Sequence, residues 1–451
     1  MAEIIVSISD FICGMPLFLL LIGGGLFFLF YSGFAPFRFY GKAIASLKDN
    51  GEKVEGQISS FEALTSAIAA TVGMGNIAGV AIALTMGGPG AIFWMWVSAV
   101  VGMSTKFFEG TLAVMFKGKD DLGHVQGGPM YMITEGIGKK WKPMAVFFSI
   151  FGMIGTFCIM QANQLTEAFT TVFTTPAGIE NTIELRFIIG LIIAAIVAVV
   201  VLGGIERIAK ISSKIVPFMV GSYFLLVFYI IITNITKVPG VFYDIVTQAF
   251  NFEAGFGAIV GIAIIGARRA ALVNEAGVGT ASMMHGASKN PVPVKEGFVA
   301  MIGPSIDSGL VCTLTAIAIL LTGNYQVAGE GVKGLEIAIG AFEAGIPGWG
   351  GYLLMFMVLI FAFSTMFSYS YYGVKCASYL VGAKYGKYYN YIYLIMIVVA
   401  AMIPLKAAVG LIDLAYALMA IPTMLTLFIL APKAKAALNE FLAKEKAEKG
   451  N

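Results

Sequence analysis

Nine consecutive residues, Thr71-Val72-Gly73-Met74-Gly75-Asn76-Ile77-Ala78-Gly79, place three glycines and an asparagine inside an otherwise apolar run at 61–85. Each glycine disfavours a helix by about 1 kcal/mol relative to alanine, so the run is expected to break. In hydrocarbon, irregular backbone is tolerated only around a cavity. The chemistry such a break offers is ligation, by N–H and C=O groups that a helix would otherwise consume. A second stretch carries Gly255, Gly257, Gly261, Gly266, Arg268-Arg269 and Asn274-Glu275-Ala276-Gly277-Val278-Gly279. Counting about 1.5 Å per residue from a boundary near Gly255 puts its mid-membrane point near Ile264 to Gly266, where the second break and a ligand contact are expected. Asp307 stands about ten residues into another apolar run, where a lone carboxylate costs at least ~2.5–3.5 kcal/mol unless it is partnered or reaches water. It reads as a sodium ligand, a proton carrier or an ion-pair partner of Arg268 or Arg269. Enzyme chemistry has no foothold. There is no Ser/Lys dyad, no H-E-x-x-H pair and no pair of intramembrane aspartates.

The elements that must position these residues are membrane spans. Of 451 residues 58% are hydrophobic and 12% charged, with a mean hydropathy of +0.86. Soluble domains carry roughly 25% charged residues, so the bilayer is the solvent that fits. Runs of about 20 apolar residues give eleven expected spans: 16–34, 61–85, 89–116, 145–173, 187–204, 215–235, 255–284, 297–323, 349–382, 388–404 and 408–431. With the N-terminus outside, the cytoplasmic side receives twenty-three of the 29 Lys and Arg, including Lys106 and Lys375, and the outer side four. That bias is what cytoplasmic loops require, and it places the C-terminus inside.

The net charge is +3, and no basic stripe interleaves with aromatics, which argues against nucleic acid as a partner. Cys13, Cys158, Cys312 and Cys376 lie far apart and read as small buried hydrophobes; with His124 and His285 as the only histidines, no zinc site is expected. No cleavable leader is expected, since the first ten residues hold Glu3 and Asp10 but no Lys or Arg. The segment 35–60 reads as an amphipathic helix on the inner leaflet, and 433–451 as a solvated, charged helical tail. Asp413 is expected near the outer boundary. Trp94 and Trp96 are expected to pack or anchor rather than line a pocket.

The two interrupted spans are the first and sixth of the ten that follow an extra N-terminal helix. Five is odd, so the two halves have opposite orientation. Paired broken helices in inverted repeats mark a mid-bilayer substrate and ion site in a secondary transporter. The chain therefore divides into 1–60 (extra helix and interfacial segment), 61–240 and 241–432 (the two five-helix repeats) and 433–451 (tail). No motif of an ATP-driven pump is present; a channel is the competing class.

The stretch Gly87-Gly88-Pro89-Gly90-Ala91-Ile92-Phe93-Trp94-Met95-Trp96-Val97-Ser98-Ala99-Val100-Val101-Gly102 resembles the signature of the alanine or glycine:cation symporter family, also called the sodium:alanine symporters. Gly127-Gly128-Pro129-Met130-Tyr131 and Asn274-Glu275-Ala276-Gly277 resemble it too. That resemblance implies an all-α polytopic membrane protein with the five-plus-five inverted repeat of the bacterial leucine transporter. It also implies uptake of alanine or glycine driven by sodium, in the cell membrane and without other cofactors; proton coupling is the alternative. Ala70 to Asn76 is similar to the unwound first core helix of the leucine transporter. By that resemblance, amides near Gly73 and Gly75 would hold the substrate carboxylate. The Thr71 carbonyl and Asn76 side chain would help hold a first sodium. Carbonyls of Ala69 and Val72, with hydroxyls of Ser364 and Thr365, would form a second sodium site. Gln161 is a candidate contact for the substrate ammonium or its gate.

Overall fold

The computed structural model describes residues 12–47, 57–251, 255–326, 334–403 and 405–449. Nearly everything described is helical. In chain order the principal helices are α1 (Met15–Tyr31), α2 (Ser60–Thr71), α3 (Gly75–Gly87), α4 (Gly90–Met115), α5 (Lys139–Thr174), α6 (Ile183–Val201), α7 (Gly204–Thr233), α8 (Val238–Ala249), α9 (Phe256–Asn274), α10 (Thr280–His285), α11 (Pro293–Thr322), α12 (Gly334–Gly345), α13 (Gly350–Val381), α14 (Tyr389–Met402) and α15 (Leu405–Lys449). Among the described residues, eight helices are long and apolar enough to cross a bilayer, and the bent pair α2–α3 makes nine. The other two expected spans fall short of that length. One is α1, and the other is α14, whose 14 residues reach only ~21 Å against a hydrocarbon core of about 30 Å.

The lipid-facing surface is legible in side chains that a soluble protein would hide. Ile188, Leu191, Ile192, Ile196 and Val199 on α6, and Phe218, Leu225, Phe228 and Ile232 on α7, are all exposed. Such a continuous apolar exterior is stable against acyl chains and not against water. At 45 residues α15 is ~68 Å long, so its charged end continues beyond the hydrocarbon as the expected helical tail. The interfacial segment forms two short helices, Ala35–Arg38 and Tyr40–Ser46; residues 48–56 of it lie outside the described set.

Helix α4 lies against α9 and α11, and also touches α3, while α5 packs on α13, α14 and α15, and α6 on α14. Helix α2 begins at a capping box. The Ser59 hydroxyl accepts the Glu62 N–H at 3.2 Å while the Glu62 carboxylate accepts the Ser59 N–H at 2.8 Å, which fixes the first residue of the helix. It ends at Val72, whose ψ of 92° leaves the helical region. Helix α3 then departs at 55° to α2. The expected first break is therefore present, with Gly73 and Met74 as its hinge.

The second break is displaced from its expected place. Helix α9 runs unbroken through Ile264 and Gly266 to Asn274, and the chain leaves it at Glu275 (φ 53°), Gly277 (φ 87°) and Gly279 (φ 98°). The left-handed values explain the two glycines there. Gly266 has another duty. A Cβ on it would lie 2.2 Å from the Ala91 carbonyl oxygen, so it lets α9 touch α4 closely, the ordinary small-residue role in membranes. A third break interrupts α5, where Cys158 is left-handed (φ 52°) between Gly155 and Ile159. Helices α8 and α12 stand in connections expected to be loops. Lys106 and Lys375, assigned above to the cytoplasmic loops, are buried within α4 and α13. All four cysteines are buried and none forms a disulfide.

Candidate functional site

The three breaks converge on one cavity of about 130 Å³. Thr71, Gly73 and Gly75 line it from the first break, Gln161 from α5, and Val273 and Glu275 from the end of α9. Tyr369 of α13 and Asp413 and Tyr416 of α15 complete its polar wall. Four residues expected at a substrate site (Thr71, Gly73, Gly75 and Gln161) are thus brought together. Ile264 and Gly266 are not: they belong to the continuous part of α9.

The backbone at the first break is arranged for a ligand. The Gly73 N–H is held by the Asn76 Oδ1 at 2.8 Å. The amides of Met74 and Gly75 enter no hydrogen bond among the described residues. They stand at the N-terminus of the 13-residue helix α3, the positive end of its dipole, where an anion is favoured. Asn76 itself is fully buried behind the cavity. Its Nδ2 donates to the Asp307 carbonyl at 3.1 Å, so it braces the break against α11.

Opposite stands Glu275, at the C-terminal, negative end of α9. Its carboxylate is buried and accepts the Thr280 hydroxyl at 2.5 Å, the Tyr416 hydroxyl at 3.1 Å and the Tyr369 hydroxyl. Asp413 lines the same cavity and pairs with Arg268 at 3.4 Å. Asp413, expected only to snorkel at the outer boundary, thus has a partner within the protein. Arg268, expected as an ion-pair partner of Asp307, meets Asp413 instead, and the charged neighbour of Asp307 is Lys106. Arg269 also lines the cavity and lies in the field of Asp413. Sequence reasoning had not assigned Glu275 and Asp413 to the site. The signal for Glu275 was a carboxylate preceding Gly-x-Gly inside an apolar run; for Asp413 none stood out.

Two oxygen clusters flank the cavity. In one, the Thr365 hydroxyl donates to the carbonyl of Ala69 at 3.1 Å and lies 3.0 Å from that of Phe361. The Ser364 hydroxyl also turns to the Phe361 carbonyl at 2.9 Å, with Met219 Sδ at 3.6 Å. Val72, just past the end of α2, is buried nearby in the chain. Thr365 and Ala69 thus meet as expected, Ser364 meets them only through Phe361, and the Phe361 carbonyl is an oxygen that sequence reasoning missed. In the other cluster, the buried Asp307 accepts the Ser308 N–H through Oδ1, while its Oδ2 and the Ser308 hydroxyl meet no partner within hydrogen-bond distance among the described residues. Thr71 and Lys106 are its polar neighbours. Lys106 also acts on Glu109 and Glu275, so three buried carboxyl groups lie in the field of one buried ammonium. The residue Asn290 and the hydroxyls of Ser60 and Ser288 join Glu296 and His285 in a separate buried network that ties the start of α2 to α10 and α11.

The family model of the sodium:alanine symporter family matches residues 1–451. The sodium/alanine symporter AgcS of Methanococcus maripaludis is 36% identical over 434 residues, covering 94% of each chain. The probable sodium/glutamine symporter GlnT of Bacillus subtilis is 33% identical, covering 99% of this chain and 92% of its own. Among solved structures, that of MhsT in complex with L-phenylalanine superposes with a TM-score of 0.57 at 13% identity, covering 87% of this chain and 99% of that one; at that identity the likeness is one of fold. The chain is a multi-pass membrane transporter that belongs to the sodium:alanine symporter family.

Proposed function

We propose that the protein couples sodium influx to the uptake of small neutral amino acids, alanine and glycine, by alternating access. The observation that carries the reading is the polarity of the 130 Å³ cavity. Met74 and Gly75, whose amides are free at the positive end of α3, and Glu275, at the negative end of α9, line the same cavity. An amino-acid zwitterion is the complement of that field, its carboxylate toward α3 and its ammonium toward Glu275. The cavity is small, and a Cβ on Gly75 would stand 3.2 Å from Val273, closer than ordinary contact.

Sodium enters as the coupling ion. It needs about five or six hard oxygens without full charge, and the carbonyls of Ala69, Val72 and Phe361 with the hydroxyls of Ser364 and Thr365 are of that kind. Asp307 Oδ2, Thr71 and Asn76 offer a second set beside the substrate. The names of the relatives, sodium/alanine and sodium/glutamine symporters, agree with these cargoes. Alternating access follows from one extra N-terminal crossing and ten crossings in two inverted five-helix repeats that begin at α2 and α9, with the N-terminus outside, the tail cytoplasmic and the protein in the cell membrane. In support, each proposed half begins with a broken helix. The buried Ser60–Glu296–His285 network then closes the inner end between the first broken helix and α10–α11.

The test is uptake of labelled alanine and glycine by proteoliposomes under an imposed sodium or proton gradient. Saturable accumulation driven by sodium is expected. Accumulation driven by protons alone would transfer the coupling to another ion, and currents without saturable uptake would make the protein a channel.

A further inference from the structure

A second cavity, of about 190 Å³, opens among the loops that hold most of the basic residues. It lies between the C-terminal third of α13, the turn between α6 and α7, and a β-hairpin of β1 (Gly118–Lys119) and β2 (Val125–Gln126). Lys375 of α13 lines it. This lysine is 5% exposed and, among the described residues, its ammonium has no hydrogen-bond partner; the Tyr371 ring lies beside it, 5.2 Å from the centroid, and Asp120 and Lys117 act on it through space. Two further polar atoms lining the cavity are also buried and without a partner among the described residues, Oε1 of Gln126 and Oδ1 of Asn390. The Asp120 carboxylate completes the wall, fixed by the N–H groups of Leu122 at 3.0 Å and His124 at 2.9 Å and by Gln126 Nε2 at 2.8 Å.

Each orphaned group specifies part of a ligand. A buried ammonium needs an anion, since an unpaired buried charge is among the costliest groups a protein can hold. The two carbonyl oxygens need N–H donors. A bare inorganic anion satisfies the first demand, leaves the second unmet and sits beside the Asp120 carboxylate. A water cluster satisfies the carbonyls and leaves the ammonium with no anion in contact, since Asp120 acts on it only through space. A molecule with a carboxylate at one end and an ammonium at the other satisfies all three.

We propose that this cavity is a second amino-acid site on the basic-loop face, in which Lys375 holds the substrate carboxylate and Gln126, Asn390 and Asp120 receive its ammonium. Its substrate class rests on the reading of the central cavity. With the tail inside, it is a waystation through which substrate leaves for the cytoplasm.

The experiment counts tritiated alanine, glycine and glutamine bound per purified full-length chain at saturation in sodium. Wild type should bind two equivalents of at least one of them. Lys375→Met should bind one, the lower-affinity class weakening at least about tenfold, while Gly75→Leu should lose the other. Lys375→Met removes an unpaired buried charge, so its melting temperature should hold or rise; if it fails to fold, Asn390→Leu takes its place and should likewise lose the lower-affinity class. One equivalent in wild type, abolished by Gly75→Leu, overturns the second site and leaves the central reading intact. Displacement of the lower-affinity class by chloride alone also overturns it, in favour of an inorganic-anion site. Binding of none of the three amino acids removes the central reading, and this proposal with it.

Discussion

The carboxylate of Glu109, in the C-terminal third of α4, accepts the backbone N–H of Gly277 at 2.5 Å and the Ser282 hydroxyl at 3.0 Å. A side chain from one helix thereby replaces hydrogen bonds that the second broken helix has given up between Glu275 and Gly279. Glu109→Ala leaves a buried amide unsatisfied, which costs about 1–3 kcal/mol, and leaves Lys106 with one counter-charge fewer. The expected result is a clear fall in melting temperature. Glu109→Gln keeps an acceptor for the amide and should recover a large part of the loss. Equal melting temperatures for Glu109→Ala and wild type would remove Glu109 from the support of the break.

Thr365 and Ser364 are distinguishable in the structure although they are neighbours in sequence. Only the Thr365 hydroxyl bonds the Ala69 carbonyl, whereas Ser364 turns toward Phe361 and Met219. If these oxygens ligate the coupling ion, Thr365→Ala should raise the sodium concentration for half-maximal uptake about tenfold, or ~1.4 kcal/mol. Ser364→Ala should raise it less. The double variant should abolish sodium-driven accumulation at unchanged protein yield. An unaltered sodium dependence in the double variant would sink the assignment.

Asp307 presents an oxygen without a hydrogen bond in a buried site, the state of a carboxylate that awaits a cation. Asp307→Asn keeps its shape and removes the charge, so it should weaken sodium dependence by about tenfold or more and change assembly little. Its charged neighbour is Lys106, while Arg268 is engaged by Asp413 at 3.4 Å. A structural ion pair would therefore reveal itself as misfolding of Asp307→Asn that Lys106→Met repairs. Neutralising Arg268 should repair nothing.

The first break was legible because three glycines and an asparagine stand out against an apolar run. The second was misplaced because the glycines at 255–266 carry the same letter with other duties. No side chain stands within 4 Å of the Cβ positions of Gly257 and Gly261, and Gly266 admits α4. The turning residues come later, at Glu275, Gly277 and Gly279. The break in α5 gave no sequence signal, since its left-handed residue is a cysteine. Asp413 looked peripheral because its distance along the chain was measured and its partner, 145 residues away, could not be. Burial of Lys106 and Lys375 was equally hidden, for a count of charges by loop assigns every lysine to water.

Gly75 separates a ligand pocket from a packing contact. A Cβ there would stand 3.2 Å from Val273 Cγ2 and near no other atom, whereas one at Gly73 would press to 2.5 Å on the Thr365 hydroxyl. Gly75→Ala therefore asks its neighbours to give by only a few tenths of an ångström, and the helix that follows gains slightly from losing a glycine. Its melting temperature should stay close to wild type. The added methyl group occupies cavity space next to the free amides, so alanine affinity should fall by about tenfold or more and glycine affinity by less. Gly73→Ala, in contrast, displaces Thr365 and should weaken sodium and amino acid together. Affinities for alanine and glycine, measured beside melting temperature on both variants, resolve the two roles. A Gly75→Ala protein that melts normally and binds alanine as wild type does would mean that the substrate lies elsewhere in the fold.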